Sequence, residues 1–131
     1  MNALFADAFD DSEHYLGAKP DRNYLSKLLQ KKHVIMLVAL QGGELIGALV
    51  GYQLEKFEQE RSEIYIYDLA VAKAHRRRGI ATRLIEALQK IALKRHAYMI
   101  FVQADYGDEP AIALYTKLGL REDVMHFDIK P

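Results

Sequence analysis

Cysteine is absent from the 131-residue chain, which excludes a disulfide framework, a thiol nucleophile and a thiolate metal site. An excess of either charge is absent too: 18 Lys and Arg balance 18 Asp and Glu, against the surface expected for bulk nucleic-acid binding. No stretch approaches the roughly 20 apolar residues of a membrane helix. The N-terminus shows no basic region leading into an apolar stretch and a small-residue cleavage site. No two of the five histidines have a spacing typical of a metal site, so no metal is expected. There is no internal repeat and no low-complexity tract. These absences lead to the expectation of a cytoplasmic protein with one domain over residues 1–131 and one core.

What charge there is falls unevenly. The first sixteen residues carry Asp7, Asp10, Asp11 and Glu13 without a Lys or Arg, whereas Lys73 to Arg95 holds eight basic residues against Glu86 alone. Partners therefore meet local fields of either sign.

The hydrophobic pattern predicts an α/β fold with a mixed sheet. Leu4, Phe5, Ala8 and Phe9 form an apolar stripe within a helix over Ala3 to Tyr15. Asp21 caps a second helix that buries Tyr24, Leu25, Leu28 and Leu29. Val34 to Leu40 and Glu44 to Tyr52 read as strands joined by a Gly42-Gly43 hairpin turn. Glu63 to Val71 is a third strand, apolar on both faces and so expected in the middle of the sheet. From Gly79 the period changes: Ile80, Leu84, Leu88 and Ile91 mark an amphipathic helix to about Arg95. The strand Tyr98 to Gln103 follows, which implies a right-handed crossover and parallel pairing. Pro110 opens a short helix over Ala111 to Leu118, ended by Gly119. Val124 to Ile129 alternates as a final strand would.

"RRRGIAT" begins a helix just after a strand. The first turn of such a helix presents unpaired backbone N–H groups, and Gly79 lets a ligand come close. With small Ala81 and Thr82 beside it, the turn suits phosphate or pyrophosphate, and Arg76, Arg77 and Arg78 add positive field and bidentate donors. The competing reading is a basic, solvated helix start, where arginines oppose the helix dipole. The pattern is neither a Walker loop nor a dinucleotide fingerprint.

With Arg76, Gly79 and Ala81 in its defining positions, "RRRGIA" resembles the Arg/Gln-x-x-Gly-x-Gly/Ala signature of the GNAT superfamily of N-acetyltransferases. "EPAIALYTKLGL", about 30 residues on, resembles its second signature. The likeness implies the acyl-CoA N-acyltransferase fold and acetyl-coenzyme A as donor. It also implies that Leu69, Ala70 and Val71 are the strand edge gripping pantetheine, and that Arg77, Arg78, Gly79, Ile80, Ala81 and Thr82 surround the phosphates. Arg76, Asp108 and Ala111 complete the implied coenzyme contacts; Asp108 stands where many relatives have an Asn, and a carboxylate cannot donate that hydrogen bond. From about residue 21 to residue 129 the chain is similar to aminoglycoside 3-N-acetyltransferases of type I. Those enzymes open with a strand and most of a helix before the position of Leu4, so the fold is expected to be shortened at its front.

Making an amide from a thioester requires that the attacking ammonium lose a proton, and the departing thiolate benefits from gaining one. Asp68, at the end of "IYIYD", is a candidate proton acceptor that also attracts a cationic amine; the alternative is a structural hydrogen-bond role, because a carboxylate beside such a run must be satisfied or face solvent. Glu63 is a weaker candidate nearer the strand start. The resemblance places Tyr115 near the coenzyme sulfur as general acid; without it, a tyrosine between Leu114 and Thr116 reads as core.

Asp105, Asp108 and Glu109, with Tyr67, Asp68 and Tyr106, form the expected wall for a cationic acceptor. The acceptor implied by the resemblance is an aminoglycoside, acetylated at its 3-amino group by direct attack, with antibiotic resistance as the consequence. Polyamines, peptides and other small amines suit the same charge. A non-catalytic coenzyme-binding protein and a nucleic-acid module built on Lys73 to Arg95 are readings from other classes. Relatives that pair, together with an exposed sheet edge, lead to the expectation of a homodimer.

Overall fold

The computed structural model describes residues 1–131 and places four strands in one sheet. Strand β1 (Val34–Gln41) pairs antiparallel with β2 (Glu44–Glu55), which pairs antiparallel with β3 (Ser62–Val71). The last strand, β4 (Ala97–Val102), runs parallel to β3, so the spatial order is β1-β2-β3-β4 and β3 is central, as its two apolar faces demand. Gly42 and Gly43 both take positive φ, 56° and 80°, the conformation a two-residue hairpin turn requires.

The parallel pair is joined by helix α4 (Ile80–Lys94). Its stripe of Leu84, Ile85, Leu88 and Ala92 packs on Ile35, Leu49, Ile64 and Ile66 to form the larger core. The helix comes close to β2 at Gly47, where a β-carbon would lie 3.0 Å from Ile80 Cγ2. Leu88 has no exposed surface. Leu88→Ala removes a fully buried side chain and leaves a cavity, so chemical denaturation should show a loss of about 2–5 kcal/mol. A loss under 1 kcal/mol would mean that α4 is not seated as described.

The opposite face of the sheet carries a smaller core of Phe5, Ala48, Val50 and Ala70. Phe5 belongs to helix α1 (Asn2–Phe9). The single helix expected over Ala3 to Tyr15 is two: Asp10 adopts a left-handed φ of 53° that ends α1, and Asp11 accepts the N–H of His14 to start α2 (Ser12–Leu16). Asp21 caps helix α3 (Arg22–Gln30) by accepting from Tyr24 N at 2.7 Å. Helix α5 (Glu109–Leu118) follows β4 and ends at Gly119.

The expected final strand over Val124 to Ile129 is not formed. Residues 120–131 are exposed and belong to no helix or strand. Alternation makes a segment able to be a strand, but a strand also needs a paired neighbour, and this segment makes no backbone hydrogen bond. No helix is long and apolar enough to cross a membrane.

Candidate functional site

Strict alternation along β3 would put Asp68 on the same face as Ile64 and Ile66, inside the α4 core. A bulge prevents this. Val50 pairs with Asp68 and Gly51 with Ile66, so Tyr67 is the extra residue on β3. Beyond it the faces exchange: Leu69 turns to the α4 core while Ala70 joins Phe5 and Val50 on the other side. The consequence is that Tyr67 and Asp68, adjacent in sequence, share the face covered by α1 and α2.

Asp68 accepts a 2.5 Å hydrogen bond from the Tyr15 hydroxyl of α2. Around it stand further phenols. Tyr67 meets Tyr52 and Tyr65 edge to face at 6.0 and 5.6 Å, and Tyr65 stacks on Phe101 at 4.7 Å. Burial, reinforced by the Asp68 carboxylate, raises Tyr15 and Tyr52; burial, then Tyr67 and Asp68, raises Tyr65. The result is one half-buried carboxylate in a cup of neutral aromatic hydroxyls, a setting that attracts a cation by charge and by ring faces. Sequence reasoning missed Tyr15 and Tyr52: Tyr15 lies 53 residues from its partner, and only the fold brings them together.

Tyr15→Phe keeps the ring and removes the donor that fixes one carboxylate oxygen. The expected result is a lower kcat with little change in coenzyme affinity, and a smaller loss than that of removing the Asp68 charge. An unchanged kcat would show that the contact does not orient Asp68.

The β3–β4 pairing stops at Ile66 opposite Val102. From Leu69 to Val71 the strand therefore has no neighbour on its β4 side. Arg76 Nε donates to the Val71 carbonyl at 3.2 Å, and Arg78 Nη1 lies 3.4 Å from His75 Nδ1, so these two guanidinium groups have contacts within the loop. Arg77 and Gly79 are both left-handed, with φ of 61° and 74°. Gly79 opens α4 without a side-chain cap, and a β-carbon there would meet nothing within 4 Å. The first turn of α4, with the N–H groups of Ile80, Ala81 and Thr82, thus follows an uncrowded glycine, and an uncapped helix start of this kind can hold an anion.

Tyr115, on α5, packs with Leu114 against the α4-side core and so lies across the sheet from Asp68. Burial, with the Asp108 carboxylate adding to it, pushes its hydroxyl from an ordinary value near 10 up to about 12. The hydroxyl keeps its proton throughout the neutral range and can donate it. Because the folded value lies above the unfolded one, the associated stability is fully present below pH 10 and is lost as pH rises toward about 12. Tyr115→Phe should therefore flatten the fall in denaturation midpoint between pH 10 and 12. An unchanged slope would contradict the burial of the hydroxyl.

Asp105, Tyr106, Asp108 and Glu109 lie beyond the C-terminal end of β4, at the same end of the sheet as Asp68 because β3 and β4 are parallel. Asp108 accepts the N–H of Ala111 at 3.3 Å and caps α5, which engages both residues locally. Tyr106 is exposed and donates to Asp123 at 3.4 Å. Glu63, the weaker candidate base, pairs with Lys56 at 3.6 Å near the other end of β3. A surface hollow away from Asp68 is lined by Lys32, His33, Gln53, Leu54, Glu55 and Arg95. There Arg95 Nη1 donates to Lys32 O and Gln53 Oε1.

The sequence profile of the Acetyltransferase (GNAT) family matches residues 1–120. An aminoglycoside acetyltransferase from an uncultured soil metagenomic sample, solved by crystallography, is 60% identical and superposes with a TM-score of 0.97, covering 99% of this chain and 87% of that one. A second soil metagenomic aminoglycoside acetyltransferase, solved with sisomicin, is 32% identical with a TM-score of 0.90, over 98% of this chain and 84% of that one. Among curated proteins, an N-alpha-acetyltransferase of Sulfurisphaera tokodaii is 32% identical over 91 residues, 60% of this chain and 54% of that protein. The chain spans about half the length of the curated relatives it matches.

Proposed function

The chain belongs to the GNAT acetyltransferase family, and from that premise we propose that it transfers an acetyl group from acetyl-coenzyme A to an amine of an aminoglycoside, at the 3-amino position. The observation that carries the reading is the half-buried Asp68 in its cup of phenols, on a strand whose next residues have an unpaired edge and lead into the open N-terminus of α4. Acetyl-coenzyme A, the family's donor, supplies the activated thioester.

The chain's own groups fit that donor. The N–H groups of Ile80, Ala81 and Thr82, opened by Gly79 and flanked by Arg77 and Arg78, suit a pyrophosphate. The free edge of Leu69, Ala70 and Val71 suits an amide-bearing arm laid alongside it as a further strand would be. Asp68 draws in the ammonium and takes its proton, directly or through a water, so that the free amine can attack. Tyr115, on the other side of the sheet, holds the proton that the departing sulfur requires. Asp68 and Tyr115 thus address the two proton transfers from opposite faces of one opening. Asp105 and Glu109 add negative field at that end of the sheet, and Tyr67 offers a ring face to the amine.

Two soil relatives of 60% and 32% identity described as aminoglycoside acetyltransferases support this acceptor. Peptide N-termini are the second reading, because curated relatives are N-alpha-acetyltransferases. Antibiotic resistance, action in the cytoplasm and assembly as two copies belong to the same proposal. Mass spectrometry and NMR of the product from sisomicin test the regiochemistry: a single acetyl group on the 3-amino nitrogen is expected. Acetylation at another amine would overturn the position while leaving the reaction in place.

A further inference from the structure

Helix α2 has five residues and none of them is buried, so its own packing does not fix where it lies. Yet its Tyr15 delivers a hydroxyl to Asp68 at 2.5 Å, from 53 residues away in sequence. A contact so directional needs something to aim it. What aims it is a set of rings. Tyr15 lies 5.6 Å from Phe5 and 5.8 Å from Phe9, tilted by 36° and 32°, while the two phenylalanines stack on each other at 6.0 Å and 5°. His14 meets the same tyrosine edge to face at 5.0 Å. Ring pairs at these separations favour particular orientations over others.

The local sequence sets up the arrangement. Phe5 and Phe9 are one helical turn apart on α1 and so share a face. Asp10, left-handed at φ 53°, ends α1 directly after Phe9. Asp11 then accepts from His14 N at 3.0 Å with its side chain and from Tyr15 N at 3.3 Å with its carbonyl, which sets the start of α2. The two phenylalanines differ in their anchorage. Phe5 is 2% exposed and belongs to the smaller core with Val50, the residue that pairs with Asp68, so it ties the rings to the sheet. Phe9 is 43% exposed and belongs to neither core.

The geometry points to Phe9 as a positioning residue for acetyl transfer: with Phe5 it clamps the Tyr15 ring, so that the hydroxyl occupies one oxygen of Asp68 and leaves the other for the ammonium. This rests on the reading of Asp68 as proton acceptor given above, and adds that its aim is set from α1. With Oδ1 engaged, a single oxygen is left to take the proton. A loosened Tyr15 frees the carboxylate to turn, and a misplacement of about 1 Å at a reacting group costs up to about 10²-fold in rate.

Rates of transfer to sisomicin for Phe9→Ala, Tyr15→Phe and the double variant test this order of action. Phe9→Ala should lower kcat about 10-fold, and by no more than Tyr15→Phe does, with coenzyme A affinity unchanged. In the Tyr15→Phe background the same change should move kcat less than about 2-fold, because the hydroxyl through which Phe9 acts is gone. Phe9→Tyr keeps the ring and should restore the wild-type rate. An equal loss in both backgrounds would overturn the inference, since a merely structural Phe9 acts whether or not the hydroxyl is there; an unchanged kcat in Phe9→Ala would overturn it too. A second readout needs no turnover. The Tyr15 hydroxyl proton, held by Asp68, should give a slowly exchanging signal in proton NMR that Tyr15→Phe removes and Phe9→Ala loses, while far-ultraviolet circular dichroism stays the same. Persistence of that signal in Phe9→Ala would overturn the clamp. Its loss, in a protein that acetylates no amine, would support the clamp and overturn the reading of the site as catalytic.

Discussion

Asp68→Asn is expected to lower acetyl transfer by about 10²- to 10⁴-fold, the contribution typical of a positioned general base, while coenzyme A binds as before. The substitution isolates the proton transfer. Asparagine has nearly the same shape, its amide oxygen still accepts from the Tyr15 hydroxyl, and the Val50–Asp68 pairing that sets the bulge involves only the backbone. What disappears is the charge that draws in the ammonium and the oxygen that takes its proton. Steady-state rates for transfer, paired with calorimetric titration of coenzyme A, separate the two effects. Transfer at the wild-type rate would remove Asp68 from the reaction and leave it the structural role of receiving Tyr15.

Gly79→Val should act on the other half of the reaction. At φ 74° a β-branched residue is strained by about 1–3 kcal/mol, yet its β-carbon meets no atom of the chain within 4 Å. The added bulk instead enters the space in front of the first turn of α4. Coenzyme A affinity should fall about 10-fold or more, with the loss residing in binding and not in the chemical step. Gly42→Val is the control: Gly42 has a similar left-handed φ of 56° in the β1–β2 turn, so it carries the strain without the site. Loss of coenzyme affinity in Gly79→Val alone supports the loop as the phosphate cradle. Unchanged affinity would place the phosphates elsewhere.

The elements whose sequences have one dominant period are the ones that sequence reading locates. α4 announces itself by Ile80, Leu84, Leu88 and Ile91, and β3 by a run apolar on both faces, which is why its central place could be foreseen. The caps and turns followed from residue chemistry, as with Asp21 and Gly42-Gly43. Three features were not legible, each for a physical reason. The apolar stripe of α1 runs on toward Tyr15, and nothing in that pattern reports that Asp10 turns left-handed and divides the helix. The bulge at Tyr67 is invisible because a strand apolar on both faces gives no phase to lose, yet that bulge turns Asp68 out of the core. The tail from Val124 to Ile129 has the alternation of a strand, but alternation does not report whether the segment pairs, and here it makes no backbone hydrogen bond.

The candidate site follows the same division. Its proposed coenzyme half lies in contiguous segments around Leu69–Val71 and Arg77–Thr82, so local motifs point to it. Its acceptor half is assembled across the fold: Tyr15 from α2, Tyr52 from β2 and Asp68 from β3 meet only in three dimensions. Motif and composition therefore specify the donor more closely than the acceptor. The acidic loop residues show the limit of charge reasoning, since Asp108 is engaged in capping α5 whatever field it adds.

The central claim is that the carboxylate in its aromatic cup serves a polycationic aminoglycoside. Its most direct test is the rate of coenzyme A thiol release from acetyl-coenzyme A with sisomicin, with spermidine and with a peptide bearing a free N-terminus. The account predicts that sisomicin gives the highest kcat/KM and that Asp68→Asn abolishes most of it. Rapid turnover of the peptide or of spermidine, with no release above background for sisomicin, would contradict it.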